Sequence, residues 1–346
     1  MNRVSVIFIA IAIALALPFN AEAQEKGVPL RLLQTISRPG VRRKWDHFGV
    51  DLAGHRLFVA SEDEAAVEVF DFRTNKLIHT FNGLKRAHNI LVRPDIKQIF
   101  VVDGDASEVK VFDYDSYKLI RRIPLTIDAD PIAYDSATEY LYVVNGGREA
   151  HTPYCLISVL DTRSGSKVAE MKLDTNRLES MALEKAGPRL FVNMTGINRI
   201  GVIDRRKNTI VQTWPVTAGI ENCPMAFDEA NHRLFVVTRK PPQLVILNTD
   251  TGQQIASLPV GVLVDDLAYD AANHRLYIPA GEGFITVVEQ RSADDYRVME
   301  KIPTAPGAKT ASLVPELNRY YIGVPSISML FKGEQEAKIL VFEVLP

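Results

Sequence analysis

Cysteine is almost absent. Cys155 and Cys223 are the whole supply, which excludes a small fold stapled by several disulfides. One bridge or two buried thiols both remain open, since a free cysteine packs like a small apolar side chain. Charge of one sign is lacking too: 40 Lys and Arg face 42 Asp and Glu, for a formal net charge of −2. That balance gives no general attraction to nucleic acid or to an anionic membrane surface. Apolar runs of membrane-spanning length are missing. There is no phosphate-binding Gly-rich loop, dinucleotide fingerprint, Gly-x-Ser-x-Gly elbow or His-Glu-x-x-His pair. Asp103-Gly104-Asp105 lacks the other ligands of a calcium loop and reads as a turn.

The chain opens with a basic Arg3, an apolar stretch from Val4 to Leu17 and a small-x-small site at Ala21-Glu22-Ala23. This pattern is expected of a secretory signal peptide over residues 1–23. Residues 24–346 are then expected to form one exported domain, periplasmic or secreted, soluble and monomeric.

That domain repeats one pattern seven times: LFVASEDEAAVEVFD from Leu57, IFVVDGDASEVKVFD from Ile99, LYVVNGG…LISVLD from Leu141, LFVNMTGINRIGVID from Leu190, LFVVTRKPPQLVILN from Leu234, LYIPAGEGFITVVE from Leu276 and YYIGVPSI…ILVFE from Tyr320. The first residues fall 42, 42, 49, 44, 42 and 44 positions apart. Short β-rich runs at this period predict an all-β, seven-bladed β-propeller with four antiparallel strands per blade. In the first blade the strands are expected near 46–51, 56–61, 67–71 and 76–81. The seventh repeat stops after its third strand, whereas RLLQTISR from Arg31 reads like the outer strand of the other repeats. The N-terminal strand is therefore expected to complete the last blade and close the ring. Inner strands should converge on the axis, where Gly49, Leu91, Ala133, Ala182, Ala226, Ala268 and Ser312 form a mostly small position.

The runs FVAS, FVVD, YVVN, FVNM, FVVT, YIPA and YIGV, with turns such as Asp161-Thr162-Arg163-Ser164-Gly165 and Asn248-Thr249-Asp250-Thr251-Gly252, resemble the YVTN-repeat family of bacterial β-propellers, which includes the YncE-like periplasmic proteins. The resemblance covers essentially all of residues 24–346, and its motif residues are structural. It implies the propeller fold and, for YncE-like members, single-stranded DNA binding. That mode needs a basic groove interleaved with aromatics, which the charge balance does not supply.

Ligands of a propeller are expected where the inner strands begin, at the channel mouth. Those positions gather His47, His88, Asp130, Glu179, Asp265, Asp266 and Lys309. Imidazole with carboxylate suits a divalent metal ion, for which His47, His88 and Asp130 are the candidate ligands. A protein or small-molecule contact face is the other reading, and it makes the chain a binding or scaffold module. The enzymatic alternative is a metal-assisted reaction of lactonase or lyase type, as in some other seven-bladed propellers, with a cation or a histidine base at this mouth. Two long loops, 146–155 and 325–337, offer Arg148, His151, Tyr154 and Phe331 to a partner. His55, His232 and His274 share one repeat position on the opposite face, after Gly54, Asn231 and Asn273, residues that tolerate positive φ. Turn geometry accounts for them without chemistry.

Overall fold

The computed structural model describes residues 27–40, 42, 44–327, 333 and 335–346. The expected leader over residues 1–23 lies outside them, as does Phe331 with its neighbours Met329 and Leu330. The described chain forms seven four-stranded antiparallel sheets, each running outward from an inner strand. The first is Trp45–Asp51, Arg56–Ser61, Ala66–Asp71 and Lys76–Phe81. The other inner strands are Ala87–Arg93, Ile132–Asp135, Met181–Leu183, Ile220–Asp228, Ala268–Asp270 and Thr310–Val314. Trp45–Asp51 packs against both Ala87–Arg93 and Thr310–Val314, so the first blade touches the second and the last. Closure is as the repeat arithmetic predicts: Leu30–Arg38 pairs antiparallel with Ala337–Val344, from Leu30 opposite Val344 to Arg38 opposite Ala337. The fold is a seven-bladed β-propeller.

Its core is not one cluster but seven seams, one per junction between neighbouring blades. Alternation along the second strand builds them, because successive strand residues face opposite sides of a sheet. Leu57 and Val59 pack toward the seventh blade, while Phe58 and Ala60 pack toward the second. Every residue of Arg56–Ser61 is therefore buried, whereas the outer strand Lys76–Phe81 begins with three exposed residues.

Near the axis the blades crowd. A Cβ added at Gly49 would sit 2.9 Å from the Cβ of Ile90 and 3.1 Å from its carbonyl oxygen, in the next inner strand. Gly49→Val should therefore cost about 1–3 kcal/mol by overpacking. The expected result is a lower urea midpoint with an unchanged slope. A variant as stable as the parent would show that the inner strands can part.

The turns at the far end of the inner strands correct one expectation. The left-handed residue is the histidine itself, with φ of 57° at His55, 56° at His232 and 51° at His274. The residue before it serves a different purpose. Asn231 and Asn273 donate side-chain hydrogen bonds to Asp228 and Asp270 at 2.7 and 2.8 Å, and the Gly54 N–H donates to Asp51 at 2.9 Å. An Asp at the strand end thus organises each turn, as Asx geometry allows. Asp103-Gly104-Asp105 is also a turn: Gly104–Ala106 forms a short 3-10 segment. The Asp103 carboxylate accepts from the Lys85 and Arg86 N–H groups and from Lys110 Nζ.

Candidate functional site

Three inner strands lose their ladder where they begin. Register shifts fall between Trp45 and Phe48, between Ala87 and Ile90, and between Asn222 and Met225. The residues released from pairing include Asp46, His47, His88 and Cys223, and all four line one cavity. A bulge of this kind re-aims side chains that a regular ladder would fix across the sheet. The cavity holds about 270 Å³ and takes wall residues from all seven blades, among them Asp130, Glu179, Asp265 and Lys309. Six of the seven mouth residues expected from the sequence therefore meet there. Asp266 stands just behind, with its carboxylate 3.2 Å from His47 Nδ1 and accepting the Ala311 N–H at 2.7 Å. Of the loop residues, Arg148 lines the cavity. His151 is exposed, and Tyr154 lies under Lys172 Nζ at 4.2 Å; neither reaches the wall.

Other wall residues were missed: Lys44, Glu62, Arg86, Asp128, Glu149, Arg177 and Arg239. The repeat alignment carried a signal for most of them. Lys44, Arg86, Asp128 and Arg177 stand thirteen residues before their repeat markers. Glu62 and Arg239 stand five after, where other repeats have Gly104, Gly146 and Gly281. A charged residue replacing glycine at a fixed repeat position points to a role outside the fold.

The charges form a network. His88 Nδ1 donates to Asp46 Oδ2 at 2.6 Å and lies 3.7 Å from Asp130. Asp46 also faces His47 Nε2 at 3.7 Å. Burial opposes a charge on His88, but Asp130, Asp46 and Glu62 outweigh it and raise the pKa to about 9. His47 is raised as well, against burial, by Asp266, Asp46 and Asp130. Asp265 accepts from both Lys309 and Arg239, and these cations overcome its burial to hold its pKa near about 2. Arg177 binds Glu179 at 2.7 Å, while Lys44 and Arg86 share Glu62 at 2.5 and 3.2 Å. Both cysteines are free and buried, so the bridge left open by the sequence is not formed. Burial pushes the Cys155 thiol up to about 11 and the Cys223 thiol well above its ordinary value.

Among the described residues two sets have donor atoms mutually within 4.8 Å: Asp46, Glu62 and His88 form one, and Asp46, His47 and Asp130 the other. Oxygen-rich sets with one imidazole suit a divalent ion. Each imidazole is, however, held protonated by its carboxylates, and a metal must first displace that proton. The same carboxylates that raise the His88 pKa would also attract a divalent cation. The His88 Nε2 is buried and has no hydrogen-bond partner among the described residues. The geometry is that of an organised, mixed-charge surface in which the three expected ligands are divided between two donor sets that share Asp46.

No protein-family model matches the chain, and no curated protein matches it. Among solved structures 1704 chains match. A chain of the Kuenenia stuttgartiensis Hydrazine Synthase is 17% identical, with a TM-score of 0.72 over 82% of this chain and 95% of that one. A chain from the crystal structure of the Mitotic Checkpoint Complex is 13% identical, with a TM-score of 0.73 over 100% of both. Identities this low show a shared fold, the seven-bladed β-propeller, and nothing finer. A fold so widely used does not choose a function, so the mouth itself has to be read.

Proposed function

We propose that this chain is an exported YVTN-repeat propeller, periplasmic or secreted, that binds a small polar molecule in its channel mouth. One observation carries the reading: a cavity of about 270 Å³ into which all seven blades bring wall residues, most of them charged. Burying and pairing so many charges is expensive and adds little to stability compared with apolar packing. The core seams already hold the blades together. Convergent polar groups in a concave pocket are the usual mark of a ligand site. Export rests on the leader pattern of residues 1–23. No helix among the described residues is long and apolar enough to cross a membrane. The loop that brings exposed Arg148 to the mouth also carries exposed His151 and half-buried Tyr154, a surface that a partner protein would meet.

A thermal-shift screen against polar small molecules tests this. The panel should include amino acids, dicarboxylates, sugars, nucleosides and divalent salts. At least one class should raise the melting temperature of the parent protein. The rise should vanish in the double variant Asp130→Asn, Arg239→Gln, which removes a wall charge of each sign. Silence across the panel, or a shift that survives in this variant, would refute the mouth as the binding site.

A further inference from the structure

The charges around the mouth are unevenly matched. On one side Lys309 and Arg239 share the single carboxylate of Asp265, so two cations meet one anion. The Arg239 Nε is buried without a hydrogen-bond partner among the described residues. Cys223, whose Sγ lies 3.1 Å from the Arg239 guanidinium, does not cancel the excess, because burial keeps its thiol neutral. Across the cavity the imbalance reverses. The carboxylates of Asp128 and Glu149 make no hydrogen bond or ion pair among the described residues. The Asp130 carboxylate accepts a hydrogen bond only from Asn89, at 3.2 Å, and lies 3.7 Å from His88. Asp128 faces the carboxylates of Asp130 and Glu149, with His88 and Arg86 as the cations nearest to it. Glu179 lies between the two poles and feels charge from both Asp130 and Arg239.

A lone anion would leave the Asp128 pole unanswered, and a lone cation would leave the Arg239 pole unanswered. Unmatched charge on half-buried groups is costly, so the ligand that fits carries both signs. We infer that the mouth binds a small zwitterion of the α-amino acid class, with its carboxylate toward Arg239 and Lys309 and its ammonium toward Asp128 and Asp130. This assignment rests on the reading of the mouth as a small-molecule site. A guanidinium offers the paired donors that a carboxylate takes best. An ammonium has three donors and can serve two carboxylates at once. The volume, about 270 Å³, is enough for one amino acid. Arg148, the remaining cation of the wall without a side-chain partner among the described residues, is exposed at the rim.

Calorimetric titration of the purified protein with each of the twenty common L-amino acids is the test, followed by the α-N-acetyl and α-carboxamide forms of the tightest binder. At least one free amino acid should bind. Each capped form should bind about tenfold or more weakly, the usual effect of deleting a charged hydrogen-bonding partner. Asp128→Asn should weaken the free amino acid by a similar factor while leaving the N-acetyl form unchanged. Lys309→Met should do the same with respect to the carboxamide. If Lys309→Met fails to fold, Arg239→Gln at the same pole serves in its place, with the same loss for the free carboxylate and none for the carboxamide. Equal affinity for free and capped forms would overturn the zwitterion. So would binding of dicarboxylates, sugars or divalent ions at this mouth with no response to amino acids, a result that leaves the mouth as a ligand site intact. No binding by any class defeats both readings.

Discussion

Removing residues 27–38 should cost the propeller most of its stability. The strand Leu30–Arg38 is the outer strand of the seventh blade and pairs along its whole length with Ala337–Val344. Its two inward side chains, Leu30 and Ile36, are only 2% and 7% exposed. Burying two such residues is worth about 3–6 kcal/mol as an upper estimate. The strand also covers Leu340, Phe342 and Val344, which its loss would open to solvent. Arg38 adds a paired contact to buried Glu68 of the first blade, at 2.7 and 2.9 Å, so the same segment ties the last blade to the first. Set against a typical total of about 5–15 kcal/mol, the loss is severe. The melting temperature should fall by about 10 °C or more. The bared edge of Ala337–Val344 should also make the truncated chain aggregate. The Leu345 N–H donates to the Pro29 carbonyl at 3.0 Å, so the two chain ends meet. Moving residues 27–38 to follow Pro346 through a short turn should therefore restore most of the loss. Leu32→Lys, at a site 51% exposed on the same strand, should change little. A truncated chain that melts with the parent would refute ring closure as the source of stability.

Closure was legible because it depends on counting. Seven markers at a near-constant spacing, a last repeat short by one strand and a spare outer strand at the start leave one arrangement. In the first blade the second and fourth strands fall at Arg56–Ser61 and Lys76–Phe81, as expected, because alternating apolar residues and polar turns bound them sharply. The inner strands were less legible at their starts. There Asp46 and His47, or His88 and Asn89, drop out of the ladder, and no periodicity marks a bulge. The left-handed position was misplaced by one residue for a related reason. Glycine and asparagine tolerate that conformation best, but here Asn231 and Asn273 are used for their amide groups and the following histidine takes the strain.

The mouth was half legible. Residues at strand starts could be aligned and compared, and six of the seven chosen line the cavity. The partnerships could not be read. Nothing in the order of residues says that Asp265 would hold two cations, or that Arg239 would reach from a strand end to Cys223. Those facts depend on how neighbouring blades are inclined. The same limit applies to the metal expectation. His47, His88 and Asp130 are reasonable ligands by type, but residue order does not show that Asp46 and Glu62 would stand beside them and divide them between two donor sets.

The proton held by His88 gives the second large effect. The His88 pKa rises from an ordinary value near 6.5 to about 9 on folding, and His47 moves the same way. A group raised on folding lends stability in full below its unfolded pKa and loses it as pH climbs through the folded one. The parent protein should accordingly be most stable toward pH 6.5 and weaken steadily to pH 9 and beyond. For His88 alone the span is on the order of 3 kcal/mol. Asp130, Asp46 and Glu62 hold the charge, and Asp128 also faces it. Asp46 lies within 3.7 Å of both rings and hydrogen-bonds His88, so Asp46→Asn should cost about 3–5 kcal/mol at pH 6, as breaking a buried pair does. The cost should shrink as pH rises, because the parent loses the same interaction when its imidazoles become neutral. Urea midpoints of parent, Asp46→Asn and His88→Gln, measured from pH 6 to pH 10, should converge at the alkaline end. Parallel curves would mean that Asp46 and His88 meet as neutral packing partners and that the mouth does not hold the charge assigned to it.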